Sequence, residues 1–191
     1  MIPPEEAARA NFYALLARLF YAPPDTGLLK AISAEKIEGE ESGLSRAWSD
    51  LAQAAAHADA EAVREEYETA FIGTGKAPVT LYTSAYTIRY SSEAPLAELR
   101  GELARLGLGR RADAREPEDH IAALCDTMRY LVAEQKRDLA EQRRFFNRWI
   151  APAVEPLCTA IDHAPSTCFY KLVGHFAKAF LTLEQVAFEM L

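Results

Sequence analysis

The sequence predicts an all-α protein, and three observations support this prediction. Apolar residues recur at helical spacing in every long apolar segment. Proline and glycine pairs punctuate the chain between these segments. A single stretch, residues 77–90, has the composition of a strand, and it has no partner strand in sequence. Because 191 residues suffice for a core without metals or disulfides, we expect residues 1–191 to form one single-domain helical bundle.

The first half of the chain contains four predicted helices. The first runs from Pro4 to Tyr21 and stops before two prolines, because the residue before a proline disfavours helical geometry. Asp59 is the predicted N-cap of the fourth helix, which Gly73 ends. A mobile loop is expected at residues 39–43. The second and third helices are predicted over residues 28–34 and 44–58.

The middle of the chain is predicted to be less regular. Residues 77–90 are expected to form an ordered loop that leads into a short helix. A helix follows over residues 95–108, with Leu99 and Leu103 buried, and a polar connector occupies residues 110–115.

A helix start is predicted at Glu116-Pro117-Glu118-Asp119-His120. Proline is favoured at the first helical position, which places Glu116 at the cap and carboxylates around the first turn, where the helix dipole favours them. His120 would then lie one turn into the helix, followed by a core-facing stripe from Ile121 to Val132. Further apolar segments predict helices up to the last one, which begins after Pro165-Ser166.

Composition excludes several classes of function. The net charge of −7 argues against nucleic-acid binding, which requires a basic surface. The three cysteines lack the spacing of a zinc site or a disulfide framework. No apolar run is long enough for a membrane span and the N-terminus lacks signal-peptide features, so we expect a cytoplasmic protein without membrane insertion.

Motifs for catalysis or cofactor binding are incomplete. The segment Gly73-Thr74-Gly75-Lys76 lacks the upstream glycine and downstream Ser or Thr of a phosphate-binding loop. No histidine follows a glutamate at the spacing of a di-iron site. Asp119 and His120 suggest acid–base chemistry, but no nucleophile accompanies them in sequence. We therefore predict no cofactor, no metal and no enzymatic activity.

Two motifs, in order, resemble those of the TorD/DmsD/NarJ family of redox-enzyme maturation chaperones. The first is Tyr67-x-x-x-Phe71-x-Gly73 with Pro78-x-x-x-Tyr82-x-Ser84, and the second is Glu-Pro-x-Asp-His at residues 116–120. Many relatives carry proline directly before the aromatic residue that corresponds to Tyr82 in the first motif, where this chain has Leu81. The helical segments on either side are also similar, so the resemblance extends over nearly the whole chain.

The resemblance implies a binding function. Such chaperones bind the twin-arginine leader and the catalytic subunit of a molybdenum oxidoreductase until its molybdopterin cofactor is inserted. Carboxylates would accept guanidinium groups and aromatic residues would form apolar walls. The implied peptide-binding residues are Tyr67, Phe71, Leu81, Tyr82, Ser84, Tyr86, Glu116, Pro117, Glu118, Asp119 and His120.

Two other classes remain open at this stage. One is a helical metal-dependent hydrolase that uses Asp119 and His120, and the other is a plain helical scaffold in which residues 116–120 only cap a helix. The chain is expected to be a monomer or a dimer. Sequence alone does not identify the client oxidoreductase.

Overall fold

The fold is all-α, as predicted. The computed structural model describes residues 2–36, 42–73, 77–88, 94–111, 114–135 and 137–191, and within these ranges it has no β-strand. A single bridge, between Tyr82 and His120, is the only strand-like pairing in the described ranges. The α-helices in chain order are α1 (Pro4–Tyr21), α2 (Thr26–Ala34), α3 (Gly43–His57), α4 (Ala60–Tyr67), α5 (Ser84–Thr87), α6 (Pro95–Arg105), α7 (Ile121–Ala133), α8 (Leu139–Trp149), α9 (Ala151–His163) and α10 (Phe169–Glu189).

One continuous apolar core joins the helices. Helix α1 packs along α7, while α10 packs against α3 and α9. The predicted stripe of α7 faces this core, and its members Leu124 and Met128 are fully buried. Burial of such side chains provides most of the stability of a bundle, because isolated helices of this length are marginal in water.

A buried polar network ties the first and last helices together. The guanidinium of Arg9 donates to both carboxylate oxygens of Glu184 at 2.8 Å, and the hydroxyl of Tyr13 donates to the same carboxylate at 2.9 Å. Burial and the charge of Glu184 raise the pKa of Tyr13 well above its usual value. Arg9 also donates to Gln142 on α8 at 3.1 Å. The network therefore satisfies charges that would otherwise be costly to bury.

The fourth predicted helix begins at the expected cap but changes its geometry near its end. The Asp59 carboxylate accepts from the Ala62 N–H at 3.1 Å, as predicted. After α4 the chain continues as a π-helical turn, Glu68–Ile72, closed by the Gly73 N–H donating to the Glu68 carbonyl at 2.7 Å. Gly73 has a φ of +61°, which only glycine adopts readily.

Helix α6 ends three residues earlier than predicted. Gly107 has a φ of +75°, and its N–H donates to the Ala104 carbonyl. The Leu108 N–H donates to the Leu103 carbonyl at 2.8 Å. This pair of hydrogen bonds is a Schellman motif, which places Gly107 outside the helix and Leu108 beyond it.

The predicted helix start at Pro117 is wrong. The α7 helix begins at Ile121 with His120 as its N-cap, so Glu116 is not the cap and His120 is not one turn inside. The reason is a tertiary pairing: the Ile121 N–H donates to the Leu81 carbonyl at 2.8 Å, and the Thr83 N–H donates to the Asp119 carbonyl at 2.9 Å. The His120 N–H closes a turn onto the Pro117 carbonyl at 3.2 Å.

The predicted loop before the short helix is confirmed for residues 77–88, where the chain is irregular until α5. Residues 89 and 90 lie outside the described part. The loop predicted at residues 39–43 also lies largely outside it, and Gly43 already belongs to α3.

Candidate functional site

The two motif segments are hydrogen-bonded to each other. Besides the backbone pairs already described, the Thr83 hydroxyl donates to the Asp119 carbonyl at 3.2 Å. The Ser84 hydroxyl donates to the Asp119 carboxylate. Asp119 is only 7% exposed, so its carboxylate is held in place by Ser84 rather than presented to solvent. The pairing therefore gives a structural role to the serine of the first motif and to the aspartate of the second.

His120 is oriented by its role as the α7 cap. Its Nδ1 accepts a hydrogen bond from the Ala122 N–H at 3.2 Å. The ring meets the Tyr82 ring edge-on, with centroids 5.4 Å apart. Burial lowers the pKa of His120, although the nearby charges of Glu116 and Asp119 act in the opposite direction. The imidazole is therefore expected to be neutral at pH 7, which an accepting Nδ1 requires.

The remaining carboxylates of this segment already have partners. Glu116 accepts a hydrogen bond from the Tyr82 hydroxyl at 2.6 Å, and this bond, more than burial, raises the Tyr82 pKa to about 12. Glu118 forms an ion pair with Arg100 of α6 at 3.0 Å, which lowers the Glu118 pKa. The second oxygen of Glu118 is buried without a hydrogen-bond partner among the described residues.

A groove of about 640 Å³ runs from this segment along α1 and α7. Small residues of the two helices line it, among them Ala14, Ala17, Ala122 and Ala123. Residues 108–111 and Ala114, of the connector that follows α6, also line it. Small side chains allow an incoming chain to approach the helix backbones closely, as in helix-in-groove recognition.

Charged side chains of both signs line the groove. Among the described residues that line it, the acidic ones are Glu116, Glu118 and Asp126. The basic ones are Arg18, Arg110, Arg111 and Arg129. The groove is therefore mixed in charge rather than the surface of carboxylates expected from sequence.

The predicted site residues do not all line this groove. Glu116, Glu118 and His120 line it, whereas Tyr82, Ser84, Leu81, Pro117 and Asp119 hold these three in place from behind or beside them. Pro117 contributes the carbonyl that accepts from His120.

Three predicted aromatic site residues belong to the surrounding packing. Tyr67 is buried, donates from its hydroxyl to the Phe20 carbonyl at 3.0 Å, and stacks edge-on with Phe71. Phe71 also packs against Tyr170, with centroids 5.0 Å apart. The Tyr86 hydroxyl donates to the Thr80 carbonyl at 2.8 Å and so stabilises the loop. Their part in peptide binding remains a prediction.

Sequence reasoning missed the groove floor and its arginines. Ala14 and Ala17 lie three residues apart on α1, which is the spacing of one helical face. The adjacent pair Arg110 and Arg111 was visible in the connector but was interpreted only as polar. Arg100 was missed because it lies 18 residues from Glu118 in the chain.

The described residues contain neither a cluster of metal ligands nor a membrane-spanning helix. No group of three or more His, Cys, Asp or Glu side chains is placed to hold a metal ion there. None of the helices in the described ranges combines the length and apolar character needed to cross a membrane.

The fold and the paired motifs define a helical protein of a known class. A profile of the family described as the nitrate reductase delta subunit matches residues 38–159, a range that contains both motif segments. The match covers more than half of the chain, so the chain belongs to this family, and the resemblance to the TorD/NarJ group is confirmed.

A curated relative supports the same assignment. The chaperone protein TorD of Aliivibrio salmonicida (strain LFI1238) is 30% identical over 129 residues. The match covers 60% of this chain and 59% of the relative, less than two thirds of its length. The relationship is with a chaperone rather than with an enzyme, in agreement with the prediction that this chain is not an enzyme.

Proposed function

We propose that this chain is a molybdoenzyme maturation chaperone that binds the twin-arginine leader of its client's catalytic subunit. It would act as one helical domain, residues 1–191, and would hold the client until its molybdopterin cofactor is inserted. The observation that carries the proposal is the pairing of the two motif segments beside a groove of about 640 Å³.

The groove suits the two parts of such a leader. Its alanine-lined floor would accommodate an apolar segment that becomes helical on binding. The arginine pair would lie at the end marked by Glu116, whose carboxylate is half-buried and bonded to a hydroxyl rather than to a cation. A guanidinium can replace the Tyr82 hydroxyl there in a charge-assisted hydrogen bond.

Calorimetry with a leader peptide tests the proposal. The peptide is a twin-arginine leader of a molybdoenzyme catalytic subunit from the same organism, and a dissociation constant in the micromolar range or tighter is expected, about 8 kcal/mol of binding free energy. A leader with both arginines replaced by glutamine is the peptide control and should bind more weakly. No heat and no thermal stabilisation with the intact leader, at several salt concentrations, would refute the proposal.

A matched pair of variants locates the arginine site. Glu116→Gln should weaken binding of the intact leader but hardly change binding of the glutamine leader. Glu189→Gln, on the exposed end of α10, removes the same charge far from the groove and should change neither. Equal effects of the two variants would indicate that net charge, rather than a contact at Glu116, governs affinity.

A further inference from the structure

The groove along α1 and α7 carries a surplus of positive charge, although the chain as a whole is acidic. Four arginines and three carboxylates line it, which leaves a formal charge of +1, whereas the net charge of the chain is −7. His120 adds nothing to this surplus, because burial lowers its pKa and favours the neutral ring. A surplus of guanidinium groups attracts an anionic partner, so a ligand that is only cationic and apolar would leave part of the groove without a counter-charge.

Two of the three carboxylates are already neutralised by arginines. Asp126 accepts from Arg129, on the same helix, at 2.7 Å. Glu118 accepts from Arg100, which is not part of the groove lining, at 3.0 Å. Among the carboxylates of the lining, Glu116 is therefore the one without an arginine partner in the described part of the chain.

Two of the four arginines are held mainly by main-chain carbonyls. Arg110 donates to the Ala114 carbonyl at 2.9 Å, and no ion pair of Arg110 occurs among the described residues. Arg18 donates to the Ala22 carbonyl at 3.3 Å, and it reaches the exposed carboxylate of Asp25 only at 4.0 Å. Because a guanidinium has several N–H donors, both side chains retain donors for a ligand.

These two arginines border the apolar floor of the groove. Arg18 follows Ala14 by four residues and precedes Tyr21 by three, and residues at these spacings share one face of a helix. Arg110 belongs to the connector that lines the groove together with Leu108. A peptide whose apolar side chains rest on the floor would therefore bring its other side chains close to guanidinium groups on long, flexible stems.

We propose that the peptide bound in the groove carries an acidic side chain, and that Arg110, together with Arg18, binds its carboxylate. This inference rests on the proposed function and refines it, because it names a feature that the client peptide needs besides its arginine pair. A guanidinium binds a carboxylate through charge-assisted hydrogen bonds, and two parallel bonds fix the orientation of the pair.

The charges of the lining favour a single carboxylate over a phosphate group. One negative charge matches the surplus of +1. A phosphate dianion would exceed that surplus and would be repelled by the three carboxylates nearby. The alanine floor also offers a phosphate ion no favourable contact, whereas it suits the apolar residues of a peptide that carries the acidic side chain.

Calorimetry with a series of leader peptides tests the proposal. The twin-arginine leader is the host, and each position of its apolar segment and of the residues before the arginine pair is tested once as glutamate and once as glutamine. We expect one position, or two neighbouring ones, at which the glutamate peptide binds about 3- to 10-fold more tightly than the glutamine peptide.

Three variants of the chain locate the carboxylate. Arg110→Gln and Arg18→Gln should each reduce the preference for glutamate, and the double variant should abolish it. Arg143→Gln, on α8 and outside the groove lining, removes the same charge and should leave the preference unchanged. Arg110→Glu should reverse the preference, so that lysine binds more tightly than glutamate at the same position. Arg110 is exposed, so these changes should hardly alter the melting temperature.

Failure of this proposal differs from failure of the proposed function. If the leader binds but glutamate and glutamine bind equally at every position, or if the preference survives in the double variant, the acidic-residue proposal is overturned and the chaperone proposal stands. If glutamate is preferred through Arg110 while replacement of the arginine pair does not weaken binding, the twin-arginine part of the proposed function fails and the acidic-residue proposal stands. If no peptide of the series binds, both are overturned.

Inorganic phosphate is the remaining probe. In thermal denaturation, phosphate at millimolar concentration should stabilise the parent no more than the Arg110→Gln variant. Stabilisation of the parent alone, without any preference for glutamate in the peptides, would show that the groove takes a free anion and would overturn the proposal.

Discussion

Glu66 is only partly buried, yet we expect its side chain to contribute more to the free energy of unfolding than most partly exposed side chains do. Its carboxylate accepts from three backbone N–H groups at the start of α10: Cys168 at 2.9 Å, Phe169 at 3.0 Å and Tyr170 at 2.7 Å. The local residue preceding α10 provides no side-chain cap. A residue 102 positions away therefore acts as the cap of the last helix and ties it to α4.

Replacing Glu66 by alanine removes all three charge-assisted hydrogen bonds. A local cap contributes about 1 kcal/mol and a hydrogen bond to a charged group about 1.5–3 kcal/mol, but the N–H groups freed here regain water because the site is half-exposed. We expect Glu66→Ala to lower the unfolding free energy by about 2–3 kcal/mol, or the melting temperature by about 5–10 °C.

Urea and thermal denaturation measure this loss. The control is Glu65→Ala, because Glu65 lies next to Glu66 on the same helix and is exposed. We expect the control to differ from the parent by less than about 0.5 kcal/mol. Equal stability of the two variants would show that α10 does not depend on Glu66, and the reasoning from the three N–H distances would be refuted.

Three further predictions concern thiols, glycines and pH. Cys125 and Cys158 are buried, and burial raises the pKa of Cys158 to about 12, so a thiol reagent should modify Cys168 alone in the native protein and all three cysteines in denaturant. Gly107→Ala should destabilise by about 1–2 kcal/mol because of the positive φ, whereas Gly101→Ala, inside α6 with open space around it, should stabilise by about 0.5–1 kcal/mol, both measured by denaturation. Arg100 lowers the pKa of Glu118, so this ion pair stabilises the fold above the ordinary glutamate pKa and loses that contribution as the pH falls through the lowered pKa. The difference in unfolding free energy between the parent and Arg100→Gln should therefore shrink from pH 7 to pH 3. A difference that grows as the pH falls would contradict the ion pair.

The sequence predicted the helices where one physical signal dominates. Helix α1 agrees with the prediction at both ends, because a proline begins it and two prolines follow it. The Asp59 cap and the buried stripe of α7 were also predicted, since both depend on local spacing. The π-helical turn after Tyr67 was not, because its sequence has the same periodicity as an ordinary helix.

The sequence singled out residues 81–84 and 116–120, but it did not reveal that these two segments pair with each other. Local rules place a helix start at Pro117, yet the backbone groups of Asp119 and Ile121 bind residues 81–83 instead. A local capping preference is worth about 1 kcal/mol, and here several long-range hydrogen bonds outweigh it. No local sequence pattern reveals these hydrogen bonds. The same long-range pairing makes His120 the N-cap of α7 and places it on the lining of the groove.

The three carboxylates of residues 116–120 differ in their partners, and this difference decides which of them could accept an arginine. Asp119 is held by Ser84 and Glu118 by Arg100, so a ligand would have to break an existing contact to use either. Glu116 is bonded to a hydroxyl, and its exchange for a guanidinium costs little because the Tyr82 hydroxyl can turn to water. We therefore propose that Glu116 is the carboxylate among these three that would bind an arginine, while Asp119 and Glu118 would fix the position of the segment that presents it.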